Sequence, residues 1–187
     1  MDLLYEVLVY ISLLVYLGLP LFWFVRHYFF LNYDMHRIEL RVITYVVILL
    51  FDAAIFMIFS PYISNRYALP SYSAPLGWIF LLGWVILEGW SIALLVRSMK
   101  NVKKLETGLV KTGPYSIIRH PVYVAHVFFN FGAYLITGAV IPLMVFVMWV
   151  VLIKPLADLE DEELALRLGE KFHDYKKKVP QLLPKLR

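Results

Sequence analysis

Five apolar runs, separated by polar or proline-bearing loops, set the pattern of this chain. Leu3 to Val25 and Leu40 to Ser60 come first, followed by Leu76 to Val96, Val122 to Ile136 and Ala139 to Ile153. A helix rises about 1.5 Å per residue, so roughly 20 apolar residues cross a bilayer core. The pattern predicts an all-α integral membrane fold with about five transmembrane helices. Thr137-Gly138 between the last two runs is a tight turn, so those runs should form a helical hairpin. Pro61, Pro70 and Pro75 mark a non-helical connection before the third run. The first run has no basic start and no small-residue cleavage site, and is expected to stay as a span rather than be removed as a signal peptide.

After Lys154-Pro155 the period changes. Leu164, Leu168, Phe172, Tyr175 and Val179 are spaced four, four, three and four, with charge elsewhere. This is one stripe of an amphipathic helix over Ala157 to Val179, ended by Pro180 and Pro184. It is too charged to span and should lie on the membrane or dock on the loops.

Charge placement gives the topology. With five spans and an outside N-terminus, 17 of the 18 basic residues fall on the inner side and only Arg66 lies outside. The positive-inside rule then makes the C-terminus cytoplasmic. The net charge of +4 sits in loops beside apolar runs, which favours membrane topology over nucleic-acid binding. Composition agrees: 61% of the 187 residues are hydrophobic and the mean hydropathy is +0.70. Its 13 Tyr, 13 Phe and 5 Trp suit a lipid interface. No cysteine is present, so disulfides and thiolate metal sites are excluded. The expected organisation is one membrane domain, 1–187, with three spans in 1–96 and a second half, 97–187, of loop, hairpin and helix.

Candidate chemistry concentrates in Thr107 to Tyr123, TGLVKTGPYSIIRHPVY. Gly113-Pro114 reads as a turn. Pro121 suits the first turn of the fourth helix, which leaves the N–H groups of Val122 and Tyr123 facing an anionic guest such as a carboxylate. Arg119 and His120 stand at that same end. Equally, both can be interfacial residues that simply obey the positive-inside rule. Glu160-Asp161-Glu162-Glu163 can complement a helix dipole, or a carboxylate there can accept two hydrogen bonds from a ribose-like diol. Asp52 and Glu88 lie inside spans, where ionisable groups suggest function by default but can also be hydrogen-bonded between helices. His120 and His126 are six apart, off the i,i+4 spacing of helical metal ligands, so no metal is expected. No phosphate-binding glycine motif or G-x-S-x-G is present.

Leu109-Val110, Gly113-Pro114-Tyr115 and Arg119-His120-Pro121-Val122-Tyr123 together resemble the isoprenylcysteine carboxyl methyltransferase family, whose wider kin are phospholipid methyltransferases. Glu160-Asp161, Leu168-Gly169 with Phe172 and Tyr175, and Leu183-Pro184 continue the resemblance, which covers roughly 97–187. It implies S-adenosyl-L-methionine as cofactor, held by Thr107, Gly108, Leu109, Val110, Tyr115, His120, Pro121, Val122, Tyr123 and Glu160. The family's acceptor-binding arginine falls on Leu156, and Lys154 is the nearest cation. Phe172 stands in place of a tyrosine and Asp161 in place of a glutamate. Arg119 and Lys154 are then the candidate catalytic clamps on an acceptor carboxylate.

The expectation is a membrane methyltransferase with a lipophilic or prenylated acceptor drawn from the bilayer, amid membrane lipid and without nucleic acid. Motif similarity puts carboxyl methylation of an isoprenylcysteine-type substrate first and a phospholipid amine second. Architectural kin also include nicotinamide-dependent reductases of isoprenoid or sterol double bonds, and a non-enzymatic scaffold is the bland alternative. The compact size favours a prokaryotic cell membrane over the endoplasmic reticulum.

Overall fold

A computed structural model describes residues 66–100 and 109–184, together with Val7 and Ile11. Apart from Val7 and Ile11, the first two expected spans, and Asp52 with them, lie outside the described residues. So do Thr107 and Gly108.

Among the described residues the chain is helical. Helix α1 is Ser73–Lys100, a 3-10 turn covers Gly113–Ser116, and α2, α3 and α4 are Pro121–Thr137, Val140–Leu168 and Glu170–Lys178. Among the described residues two helices are long and apolar enough to cross a membrane: α1, over Ser73–Ser98, and α3. Helix α2 is apolar but has only 17 residues, about 25 Å. One side of α1 leaves Trp78, Ile79, Leu82, Val85, Ile86 and Trp90 exposed. So continuous an apolar face needs a lipid or protein partner.

The contacts of the chain divide into two units. In the smaller, Met1–Tyr67 with Gly138–Ile141, the hairpin turn is held by Tyr67. Its N–H donates to the Gly138 carbonyl at 2.8 Å, and Arg66 and Ala139 form an isolated antiparallel bridge. Gly138 has φ +65°, and a Cβ there would collide with the Tyr67 carbonyl.

In the larger unit, Ala68–Thr137 with Pro142–Arg187, α1 and α2 run antiparallel. Their pairings descend in order. Gly77 meets Gly132, Phe80 meets Phe128 and Phe131 edge-on, Trp84 meets Phe129, and Glu88 meets His126. The two glycines let the backbones approach: a Cβ on Gly77 would sit 2.7 Å from the Gly132 carbonyl oxygen. Close approach at small residues is how apolar helices associate without a hydrophobic drive between them. Trp149 of α3 fills the α2 face that carries Tyr123 and His126.

The C-terminal segment differs from the single helix expected over Ala157 to Val179. Helix α3 continues through Pro155 to Leu168, so span and acidic segment are one element. Proline in a helix removes one hydrogen bond, a loss that helices in apolar surroundings tolerate when neighbours re-satisfy the carbonyl. The break comes at Gly169, which takes φ +55° and starts α4. The stripe still converges across the break. Phe172, Tyr175 and Val179 form a buried cluster with Leu109, Leu164 and Leu168 packed on it. Periodicity identified the right faces, but a left-handed glycine, not a straight helix, brings them together.

Candidate functional site

Arg119, His120 and the acidic pair of α3 form one buried network at the start of α2. Gly113, at φ +58°, turns the chain beneath α1, where a Cβ would stand 2.9 Å from the Trp90 indole nitrogen. The 3-10 turn delivers Ile118 into the core and Arg119 and His120 to the helix start. Pro121 opens α2, where its missing N–H is no loss, and the His120 carbonyl accepts the Val124 N–H at 3.4 Å.

Arg119 binds both oxygens of Asp161: Nε to Oδ1 at 3.1 Å and Nη2 to Oδ2 at 2.5 Å. Its Nη1 donates to the Val179 carbonyl at 2.5 Å and, more weakly, to that of Lys176 at 3.4 Å. The backbone N–H groups of Arg119 and His120 donate to the Pro180 and Gln181 carbonyls. Gln181 Nε2 reaches Asp158 and Asp161, each at 3.0 Å. The segment after α4 is thus fastened over the helix start.

His120 is buried between the two acids, with Nδ1 3.0 Å from Glu160 Oε2 and Nε2 3.0 Å from Asp161 Oδ1. Only an imidazolium can donate from both nitrogens. Burial opposes that charge, but Glu160 and the hydrogen bonds His120 donates to both acids outweigh it and raise the His120 pKa to about 9. For Asp161, burial pushes the carboxyl up, while His120 and Arg119 more than offset it and hold it below the usual carboxylate range. The His120 ring stacks on Tyr123, centroids 5.5 Å apart, and Tyr123 also hydrogen-bonds Glu160. The two acids differ in access: the Glu160 side chain is 44% exposed, that of Asp161 2%. Asp161 is internal wiring, and Glu160 is the acid that can meet a ligand.

The expected site residues divide into three groups. His120, Pro121, Val122, Tyr123 and Glu160 gather at the start of α2. Leu109 packs on the α4 cluster, and Tyr115 is buried with its carbonyl accepting the Tyr175 hydroxyl at 2.5 Å. Val110 is half-buried beside Leu109 in sequence. Lys154 is exposed and paired with Asp158 on its own helix. Arg119 and Lys154 therefore both direct their charge at the chain's own carboxylates. Sequence reasoning missed Gln181, whose only signal was its place just before the closing Leu183-Pro184. It also missed the bonding of Asp161 to Arg119, which complementary charge in the two motifs could have suggested.

Two helices long and apolar enough to cross a membrane, with buried acid, arginine and histidine gathered where α2 begins, fit a membrane protein with a polar site at a helix end. The phospholipid methyltransferase family model matches residues 76–169, and the chain belongs to that family. It is thus a membrane methyltransferase. No curated protein and no solved structure matches it.

Proposed function

We propose that the chain transfers a methyl group from S-adenosyl-L-methionine to the amine of a lipophilic acceptor, with the cofactor held where α2 begins. The observation that carries the cofactor half is the half-exposed Glu160, fixed by buried His120 and by Tyr123. The donor set suits the molecule. A carboxylate with an open oxygen can accept from a ribose diol, and a helix start beside a cationic histidine can receive an amino-acid carboxylate. Glu160 would take the first role and the Val122–Tyr123 backbone the second, with buried His120 holding Glu160 in place and adding positive charge beside the helix start. Leu109, Val110 and Tyr115 would supply apolar wall. When bound, the cofactor supplies a methyl group activated by a sulfonium.

The chain's own part is to position and to exclude water. His120 carries its proton between two acids and so acts as a fixed cation, not as a base. Asp161 and Arg119 hold the helix start against the segment after α4. An amine acceptor is supported by the state of the cations. Arg119 is bound to Asp161 and two carbonyls, Lys154 is paired with Asp158, and Leu156 stands where the isoprenylcysteine family carries its arginine. None is offered to an acceptor carboxylate.

Methyl-labelled cofactor tests this, with the purified protein, ethanolamine phospholipid and farnesylated cysteine. Label that is stable to base in the lipid headgroup supports the amine. Label released as methanol from farnesylcysteine would reverse the choice of acceptor in favour of the carboxylate.

A further inference from the structure

A second polar cluster lies deeper, between α1, α2 and α3. Glu88 and His126 are buried, at 2% and 5% exposure, on facing sides of α1 and α2. His126 Nδ1 is 3.5 Å from Glu88 Oε2, and that oxygen accepts a hydrogen bond from the Trp84 indole. Trp149 of α3 packs edge-on against the His126 ring, centroids 5.0 Å apart. Two buried polar atoms here have no hydrogen-bond partner among the described residues: His126 Nε2 and Trp149 Nε1. Ionisable groups in the apolar part of a membrane protein are costly to keep, and mark functional positions by default.

The chemistry of the pair is directional. Nδ1 is the ring nitrogen that faces the Glu88 carboxyl, 3.5 Å away, so a proton held on that side leaves the imidazole lone pair on Nε2, the atom without a partner. A carboxylate that fixes the tautomer and stabilises the resulting imidazolium is the arrangement that makes a histidine a base. The cluster also communicates with the cofactor site proposed above. His120 stacks on Tyr123, Tyr123 leans on Trp149 at 6.3 Å, and Trp149 meets His126. His126 is six residues beyond His120, about 9 Å along the helix.

We infer that Glu88 and His126 form the acceptor's binding site, in which His126 Nε2 takes a proton from a lipid ammonium headgroup. The inference rests on the methyl-transfer reading above. The ammonium N–H bond breaks, its electron pair stays on nitrogen, and the proton forms a bond to Nε2. The products are a neutral amine with a free lone pair and an imidazolium paired with Glu88. Only the neutral amine is a nucleophile. Trp84, Trp149 and Phe129 around the pair supply aromatic surface of the kind that favours a cation before its proton leaves. The Trp149 N–H is a donor for a headgroup oxygen.

The test compares wild-type protein, His126→Gln and Glu88→Gln, with two acceptors. One is phosphatidylethanolamine, and the other is an analogue whose aminooxy headgroup is already neutral at pH 7. The expected result for His126→Gln is at least a 100-fold loss of kcat with phosphatidylethanolamine. The loss with the aminooxy lipid should be at least tenfold smaller than that, and S-adenosylhomocysteine affinity should stay within twofold of wild type. In cofactor-free protein, Glu88→Gln should weaken binding of lysophosphatidylethanolamine at least tenfold and leave lysophosphatidylglycerol unaffected. Equal losses with both acceptors, or full activity on phosphatidylethanolamine, would overturn the inference while leaving methyl transfer intact. Wild-type protein that neither binds S-adenosylhomocysteine nor methylates either lipid would instead remove the reading on which it rests. If His126→Gln fails to fold, shown by lost S-adenosylhomocysteine binding, His126→Asn and the Glu88→Gln lipid titration decide.

Discussion

Asp161 grips Arg119 through both carboxylate oxygens, and nearly all of that pair is out of solvent. A buried ion pair adds little net stability compared with apolar packing, but breaking one side strands the other charge. Asp161→Ala leaves Arg119 and His120 without their shared acid. We predict a loss of about 3–5 kcal/mol, read as a lower midpoint for thermal unfolding in detergent. Glu160→Ala, at the exposed acid, should lose far less.

His120 gives stability a pH dependence. Its folded-state pKa is raised to about 9 from an ordinary 6.5. A raised value means the folded chain binds the proton more tightly than the unfolded chain. That contribution is complete below about pH 6.5 and is lost as pH rises through 9. Asp161 works in the opposite sense: held low, it contributes above the ordinary carboxylate range and loses its contribution on acidification. Wild-type protein should therefore unfold more readily between pH 6.5 and 9, by up to about 3 kcal/mol. His120→Gln should flatten that slope. An identical slope in the two proteins would contradict the assignment.

Two glycines should respond differently to alanine. At Gly77 a Cβ would stand 2.7 Å from the Gly132 carbonyl oxygen, and backbone must move. Overpacking of this kind costs about 1–3 kcal/mol. At Gly169 nothing lies within 4 Å, so only the positive φ is strained. At φ +55° and ψ −133°, a region nearly confined to glycine, that should cost about 1–3 kcal/mol. Because α1 and α2 carry Glu88 and His126, Gly77→Ala should also disturb lipid methylation. Gly169→Ala, which loosens the docking of α4, should act on stability first and disturb methylation less. Unfolding midpoints and transfer rates for the two variants check both points.

Tyr175 tests the docking of α4. Its hydroxyl donates to the Tyr115 carbonyl while its ring belongs to the buried cluster with Phe172 and Val179. Tyr175→Phe keeps the ring and strands a buried carbonyl, for a loss of about 1–3 kcal/mol. Tyr175→Ala should lose more, since the cluster loses its centre. Equal midpoints for the two variants would show that the ring contributes nothing beyond the hydroxyl.

The hydrophobic pattern made much of this legible. The runs at Leu76 to Val96, Val122 to Ile136 and Ala139 to Ile153 each match a helix to within a few residues, because a long apolar run in a helix satisfies its own backbone. The exception is the end of α3. A change of composition at Lys154-Pro155 looks like a boundary, yet backbone geometry runs through it and breaks where Gly169 can take a positive φ. At the site, Arg119-His120 and Glu160-Asp161 stood out by charge and by their expected placement on one side of the membrane. Their mutual bonding was not legible, since single-sequence reasoning cannot tell a cation facing a ligand from one facing a carboxylate 42 positions away. The Glu88–His126 pair was half visible. Glu88 stood out inside an apolar run, while His126 was weighed only as a metal ligand.

Calorimetry with S-adenosylhomocysteine tests the central claim most directly. Wild-type protein in detergent should bind it, and His120→Ala and Glu160→Ala should each weaken binding at least tenfold, a loss of about 1.4 kcal/mol or more. Unchanged affinity in both variants would contradict a cofactor site built on His120 and Glu160.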